Sequence, residues 1–240
     1  MSTPSLETRP CVLGICDGSG FVVDEVNNVA NPCACQRERQ GRRPGDLSAV
    51  IPKRYRGVSF DRPPVTEITS GAVTMVRRYV RDIDASLDAG RGLWLFGDVG
   101  TGKTTLAMLV SKSALDAGRS VAIYSLPRLL NLLREAMNSE TGLLDFMDRL
   151  TAVDLLHIDD LGAEKSSDWV LEQLYSIVNA RYESERAIIA TTNLMPDELS
   201  EALGQRTVSR LVEICGDLIP LYGEDKRREF RAERAELAHP

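Results

Sequence analysis

Short runs of apolar residues alternate along most of the chain with longer stretches that mix apolar and polar residues. From about residue 47 onward this alternation is regular and predicts strands separated by helices. We expect helices at 71–89, from the end of a glycine-rich loop to about 117, and at 127–138, 167–184, 196–203 and 206–215. We expect strands at 93–96, 120–125, 153–158, 186–191 and 217–221. Such alternation predicts an α/β fold, a parallel sheet with helices on both faces.

The segment 97–104, Gly-Asp-Val-Gly-Thr-Gly-Lys-Thr, is a complete phosphate-binding loop between a predicted strand and a predicted helix. Glycines let the backbone approach phosphate oxygens, and the positive end of the helix favours the polyphosphate. We expect Lys103 to reach the β- and γ-phosphates and the Thr104 hydroxyl to ligate Mg²⁺. The predicted nucleotide-binding residues are Gly97, Asp98, Val99, Gly100, Thr101, Gly102, Lys103, Thr104 and Thr105.

Two acids, Asp159 and Asp160, come directly after the apolar strand predicted at 153–158. In open α/β sheets ligands lie outside the carboxyl ends of the strands, so these acids should meet the phosphates. We expect Asp159 to hold Mg²⁺ and Asp160 to polarise the attacking water. His157 lies in mid-strand between apolar neighbours, and we interpret it as a packed side chain.

Asn193 follows the strand predicted at 186–191. At this carboxyl end of the sheet its amide would hydrogen-bond to the attacking water or the γ-phosphate. Alternatively it caps the helix that begins near Pro196, because Asn favours such positions. Spacing alone does not decide between these interpretations.

Composition narrows the class of protein. Of 240 residues, 43% are apolar and 27% charged, as in ordinary globular proteins, and the net charge of −6 provides no global basic field for nucleic acid. No apolar run approaches the ~20 residues that cross a bilayer, and no apolar core of signal-peptide length follows the first five residues. We therefore expect a cytoplasmic protein without a membrane partner.

Four of the five cysteines lie in the first 35 residues, around a short apolar strand predicted at 21–23. In a reducing compartment clustered thiols suggest a metal, and four thiolates suit tetrahedral zinc. Neither pair has the usual two-residue spacing, so a degraded site is the alternative. The candidate zinc ligands are Cys11, Cys16, Cys33 and Cys35. We expect a Cys-rich module with a basic linker at 1–46 and an ATPase domain at 47–240.

Several segments together resemble the AAA+ ATPases, and in particular the DnaC-type replicative helicase loaders, close kin of the IstB transposition ATPases. The general likeness lies in the phosphate loop, in Asp-Leu-Leu-His-Ile-Asp-Asp-Leu-Gly at 154–162, and in Thr-Thr-Asn at 191–193. The loader likeness lies in Ile-Pro-Lys-Arg-Tyr-Arg-Gly-Val-Ser-Phe at 51–60, Leu-Gly-Ala-Glu-Lys at 161–165, and Asp-Trp at 168 running on to Asn-Ala-Arg-Tyr-Glu at 179–183. The resemblance covers roughly 50–228.

This resemblance implies ATP as the nucleotide, Asp159 and Asp160 as the Walker B pair, and Asn193 as sensor 1. It also implies that Arg210, with Arg206 beside it, is an arginine finger reaching a neighbouring subunit, and that Arg227 is the sensor-2 arginine. Many AAA+ proteins have Glu where Asp160 stands, and the shorter side chain predicts slow hydrolysis.

The implied function is an ATP-dependent loader that places a hexameric replicative helicase on single-stranded DNA. It would act as a ring or spiral, and the N-terminal module would contact the helicase. The alternatives are an IstB-like transposition regulator and a nucleotide-responsive scaffold with negligible turnover. The arginines between 37 and 43 would touch helicase acids or DNA phosphates, and four charges do not decide which.

Overall fold

The computed structural model describes residues 14–16, 51–138, 142–162 and 167–223, and the backbone alone of 21–24 and 29–32. It divides the chain into two units, Met1–Ser48 and Ala49–Pro240. In the first unit, β1 (Phe21–Asp24) pairs antiparallel with β2 (Val29–Pro32). The strand predicted at 21–23 is confirmed, and its partner was not predicted.

The second unit contains a five-stranded parallel sheet. Its strands are β3 (Leu93–Phe96), β4 (Val121–Ser125), β5 (Leu155–Leu161), β6 (Ala187–Thr192) and β7 (Ile219–Pro220). They lie in the order β4-β5-β6-β3-β7. Because all pairs are parallel, the loop after β3 and the ends of β5 and β6 meet at one edge. The predicted α/β class with a parallel sheet is confirmed.

Helices connect these strands, and two 3-10 turns, Lys53–Tyr55 and Val65–Glu67, precede them. The helices are α1 (Gly71–Arg81), α2 (Ile83–Asp88), α3 (Lys103–Asp116), α4 (Leu126–Met137), α5 (Gly142–Ala152), α6 (Asp168–Glu183), α7 (Pro196–Leu203) and α8 (Gln205–Cys215). Local chemistry sets several starts. The Ser70 hydroxyl accepts from the Ala72 N–H at 3.2 Å, and the Ser167 hydroxyl accepts from the Val170 N–H at 3.4 Å.

The single helix predicted at 71–89 is wrong, since it is two helices broken at Asp82. Asp82 has φ −106° and ψ 32°, outside the helical range, and it both ends α1 and begins α2. Aspartate is a weak helix former because its short carboxylate competes for backbone groups. Here that carboxylate pairs with the adjacent Arg81 at 3.2 Å.

The prediction missed α5 entirely, and it ended β5 three residues early. The signal for α5 was present, because Leu143, Phe146, Met147 and Leu150 follow the i, i+3, i+4, i+7 pattern of an amphipathic helix. The extension of β5 to Leu161 carries the two acids inside the strand, which matters for the site.

The core lies on both faces of the sheet, because successive strand side chains point in opposite directions. On one face Leu95, Leu155 and Ile189 pack with apolar residues of α1, α2 and α3. On the other face Trp94 and Ile188 are also fully buried. The predicted covering of both faces is thus confirmed.

Candidate nucleotide-binding site

The phosphate loop runs from the end of β3 into the start of α3, and its glycines adopt a backbone that other residues rarely take. Gly97 has φ 138° and Gly102 has φ 100°. A Cβ on Gly97 would lie 1.9 Å from the carbonyl oxygen of Leu221, and one on Gly102 would lie 2.5 Å from Ile68 Cδ1. Glycine is therefore required at both positions.

Lys103 is folded back under this loop. Its Nζ donates to the carbonyl oxygens of Gly97 at 2.8 Å and Asp98 at 2.6 Å, and only 5% of its surface is exposed. The Thr101 hydroxyl donates to the Asp98 carbonyl at 2.9 Å. The loop thus encloses a positive charge beneath backbone that a polyphosphate would approach.

Asp159 receives two hydroxyl hydrogen bonds on a single carboxylate oxygen. Thr104 at the start of α3 donates to Oδ1 at 3.0 Å, and Thr191 at the end of β6 donates to the same oxygen at 2.6 Å. Hydroxyl and carboxylate oxygens are hard donors of the kind that Mg²⁺ takes, and Thr104 and Asp159 lie within hydrogen-bonding distance of each other. This pair therefore fits a magnesium ion beside a triphosphate.

Asp160 is placed by a β-bulge. The pairing of β5 with β6 shifts register between Ile158 and Leu161, and Asp160 has φ 59°, in the left-handed region. Its N–H donates to the Thr191 hydroxyl at 2.9 Å. The bulge turns the Asp160 side chain to the cleft, while Asp159 faces Thr104, so adjacent acids serve different positions.

An open cleft lies over the loop. Its lining residues are Gly100, Thr101, Gly102, Lys103, Thr104, Thr105, Asp160 and Asn193, with Arg54, Tyr55, Pro64 and Ile68 from the segment before α1. Sequence reasoning assigned no role to that N-terminal segment. The signal was the aromatic and basic pair within 51–60, because Arg54 stacks over Tyr55 with its guanidinium carbon 4.9 Å from the ring centroid.

Asn193 is exposed at the rim of the cleft. The helix that follows is capped by other residues: Met195 is its N-cap, and the Glu198 carboxylate accepts from the Met195 N–H at 2.8 Å. The geometry therefore favours the interpretation in which the Asn193 amide faces bound ligand.

His157 lies behind the acids and is fully buried, as predicted. Its Nδ1 is 2.9 Å from the Ser111 hydroxyl, and its Nε2 is 4.0 Å from Asp159 Oδ1. Burial lowers the pKa of His157 to about 3, so the imidazole is neutral at physiological pH. A neutral, enclosed ring suits packing and leaves water activation to the carboxylates.

A second groove lies between α6 and α8 and shares no residue with the cleft. It is lined by Tyr175, Gln205, Arg206, Ser209 and Arg210. The predicted finger and its neighbour are thus brought together, but on a surface other than the nucleotide cleft of their own chain.

The structure describes few of the remaining predicted site residues. Arg227 and three of the candidate zinc ligands, Cys11, Cys33 and Cys35, lie outside the described residues, and Cys16 is half-buried. Over the ranges the structure describes, no cluster of three or more His, Cys, Asp or Glu side chains could hold a metal ion. Among those same ranges, no helix combines the length and the apolar character that a membrane span needs.

Comparison with known proteins agrees with this geometry. A sequence profile of the IstB-like ATP binding protein family matches residues 77–228. The chain is 30% identical over 160 residues to the replicative helicase loader DnaC of Escherichia coli (strain K12). That match covers 65% of this chain and 64% of DnaC, less than two thirds of the relative's length.

Two further likenesses extend the comparison. The chain is 27% identical over 216 residues to the phage-like element PBSX protein XkdC of Bacillus subtilis (strain 168), covering 85% of this chain and 79% of XkdC. The crystal structure of the DnaC helicase loader matches with a TM-score of 0.60 and 26% identity, over 71% of this chain and 99% of that one.

The profile match spans more than half of the chain and includes the phosphate loop, both acids and Asn193. The family binds ATP, and the oxygen donors at the cleft suit the magnesium that accompanies it. This chain therefore belongs to the IstB-like family of ATP-binding proteins, the DnaC/IstB type of AAA+ ATPase.

Proposed function

We propose that this protein is an ATP-dependent loader of the replicative DNA helicase onto single-stranded DNA. The observation that carries the ATP dependence is the arrangement in which Thr104 and Thr191 both donate to Asp159 beside the glycine loop. The loader assignment is supported by the likeness to DnaC in sequence and in structure.

Within the cleft each residue has a proposed task. The loop amides and Lys103 bind the phosphates, and Thr104 with Asp159 holds magnesium, which neutralises charge on the β- and γ-phosphates. Asp160 takes the proton of the attacking water, and the Asn193 amide orients that water. Since the Asp160 side chain is one methylene shorter than Glu, we expect slow hydrolysis of ATP to ADP and phosphate.

Hydrolysis should require assembly. Arg210 does not line the cleft of its own chain, so a guanidinium for the γ-phosphate would come from the next subunit. A ring or spiral in which each Arg210 faces the neighbouring cleft meets this need, and Arg227 would act as sensor 2 within it. Single-stranded DNA would bind along the assembly through backbone contacts, in the cytoplasm.

The N-terminal module is proposed to engage the helicase. Its four cysteines, Cys11, Cys16, Cys33 and Cys35, would hold one zinc ion that folds the module. Metal analysis of purified protein should find about one zinc per chain. Chelation should then abolish helicase binding while nucleotide binding persists, and a protein free of zinc that still binds helicase would contradict the assignment.

The direct test of the loader proposal is co-elution with a hexameric replicative helicase from the same source. Native protein with Mg²⁺ and ATP should co-elute, and Lys103→Ala, which removes the buried ammonium, should not load helicase onto single-stranded DNA. If native protein fails to co-elute both with and without ATP, the loader proposal is wrong.

A second candidate is an IstB-like transposition regulator, because the family profile that matches this chain is that of IstB-like proteins. The two functions differ in the partner, a transposase in place of a helicase. Pull-down from the source organism distinguishes them. The scaffold alternative is tested by Asp160→Asn: native and variant proteins with equal phosphate release would show that catalysis is not the function.

A further inference from the structure

Arg210 does not extend freely from α8 but lies over an aromatic ring of another helix. Its guanidinium carbon is 4.0 Å from the ring centroid of Tyr182, near the C-terminal end of α6. This is the shortest of the five arginine–aromatic stacks among the described residues. The half-buried Tyr182 thus supports the guanidinium from one side.

Glu213 closes the arrangement from the next turn of α8. Arg210 donates from one terminal nitrogen to Glu213 Oε1 at 3.0 Å. The Tyr182 hydroxyl also hydrogen-bonds Glu213, which raises the pKa of the tyrosine and outweighs the opposing effect of its bond to Arg210. Arg210, Tyr182 and Glu213 therefore form a three-residue cluster, which we call the Arg210 clamp.

The clamp matters because a long arginine side chain has several rotors. An arginine side chain has considerable rotamer entropy, and ordering it at a distant phosphate costs part of that entropy. A ring beneath the guanidinium restricts those rotors before the ligand arrives. Stacking occupies the face of the guanidinium, whereas its N–H donors lie in the plane and point to the sides. Glu213 takes one of these in-plane N–H groups, and the other in-plane donors remain directed to the sides for recognition.

We propose that Tyr182 is the positioning residue for Arg210, holding the guanidinium flat at the subunit surface so that it meets the γ-phosphate of the neighbouring subunit. This inference rests on the proposed hydrolysis across a subunit boundary. Tyr182 touches no substrate, since it is not part of the nucleotide cleft. It acts through Arg210, and we assign that role to the ring, whose centroid lies 4.0 Å from the guanidinium carbon.

The first experiment compares steady-state ATP hydrolysis by native protein and four variants, with single-stranded DNA present. Tyr182→Leu removes the ring and should lower kcat about tenfold with KM for ATP within about twofold of native, because the guanidinium loses the cation–π contact that orders it. Tyr182→Phe keeps the ring and should restore kcat to within about twofold of native. Arg210→Ala should lose turnover almost completely.

The matched control uses the other end of the same helix. Arg134 stacks over Trp169 at 4.6 Å, near the start of α6 and away from the groove. Trp169→Leu removes a stack of the same kind and should hydrolyse ATP at the native rate. Thermal unfolding of both leucine variants shows whether lost stability alone explains any change in rate.

The second experiment mixes subunits. Lys103→Ala lacks a working nucleotide site but keeps an intact Arg210 clamp, whereas Tyr182→Leu keeps its nucleotide site and lacks the clamp. Co-assembly should raise turnover severalfold above that of Tyr182→Leu alone, because some intact sites then face an intact clamp. Turnover that stays additive would mean that Tyr182 acts within its own subunit, and the inference would be overturned.

The outcomes separate this inference from the proposed function. If Arg210→Ala is inactive but Tyr182→Leu is as fast as native protein, the positioning role alone is wrong. If Arg210→Ala hydrolyses ATP normally, the finger assignment fails and the clamp role fails with it. If Phe is no better than Leu at position 182, the ring is not the part that positions Arg210.

Discussion

In the nucleotide cleft the reactive side chains are held by hydrogen bonds within one chain, whereas the groove around Arg210 carries its charges at the surface. Lys103 is 5% exposed beneath its own loop, and Asp159 accepts hydrogen bonds from Thr104 of α3 and Thr191 of β6. Arg206 is exposed and Arg210 half-exposed. This difference supports the proposal that the cleft binds nucleotide within one subunit, while the groove offers Arg210 to a neighbouring subunit.

Two arginines make the contrast more specific. Arg181 is fully buried, and its guanidinium donates to five backbone carbonyl oxygens. They belong to Leu150, Thr151, Val153 and Asp154 around the end of α5, and to Ala187 in β6. Burial lowers its pKa to about 9, so it still carries its charge at neutral pH. The next residue, Tyr182, contacts Arg210 through its ring. Arg181 is thus enclosed within the fold, whereas Arg210 lies at the surface, where we propose that it acts on a neighbouring subunit.

The largest expected effect separates binding from turnover. Arg210→Ala should reduce hydrolysis by roughly 10³-fold, as arginine fingers supplied by a neighbour do, while Mg·ATP affinity stays near native. Lys103→Ala should lose both, because the buried ammonium that faces the phosphates is gone. Calorimetry and phosphate release measure the two quantities. Loss of ATP affinity in Arg210→Ala would break the distinction between a cleft complete in one chain and a groove that acts on the next.

The second effect is on folding. Arg181→Leu leaves several buried carbonyl oxygens without a donor and should lower the free energy of unfolding by roughly 3 kcal/mol or more. Arg210→Leu, an equal change at the surface, should cost less than about 1 kcal/mol. Urea denaturation of both variants compares them. Equal losses in the free energy of unfolding would show that the two arginines contribute equally to the stability of the fold.

A smaller effect is expected at the end of β6. Thr191→Val removes the hydroxyl that donates to Asp159 and accepts from the Asp160 N–H, and should cost about 1–2 kcal/mol of stability. It should also lower turnover about tenfold, because both acids lose their alignment. Thr192→Val is the matched control: its hydroxyl bonds Leu161 and Leu194 instead, so stability should fall while turnover persists.

The smallest effect depends on pH and lies far from either site. Burial alone would raise the pKa of Asp154, but hydrogen bonds from Ser120 and the charge of Arg186 outweigh it, and the pKa is lowered. A lowered pKa stabilises the folded state above the ordinary carboxyl range, and this is lost as pH falls through that range. Asp154→Asn should therefore be less stable than native protein at pH 7, by less than about 1 kcal/mol, with the gap closing in acid. Denaturation curves at several pH values measure it, and a gap that widens in acid would contradict it.

Much of the sheet was predictable from local pattern. The strand β3 and helix α7 have the predicted bounds, and most other elements differ by one or two residues. The exceptions have local causes. Asp82 breaks a helix that apolar spacing alone would continue, and α5 was overlooked although its spacing was visible in Leu143 to Leu150.

The site was predictable only in part. The loop and the acids follow from residue order, because a strand, a glycine turn and a helix must place N–H groups at one point. The Thr191 hydroxyl that joins the two acids, and the lining by Arg54 and Tyr55, depend on segments that are distant along the chain. No local pattern indicates which hydroxyl will face a carboxylate across a sheet.

The amino-acid order by itself determined the class of fold, the phosphate loop and the family, since each depends on spacing between residues near in sequence. Tertiary structure alone decided that Asp160 turns into the cleft at a bulge, that Arg181 is enclosed, and that Arg210 rests on Tyr182. The physical reason is that strand pairing and helix packing set these positions, and both join residues about 30 positions apart or more.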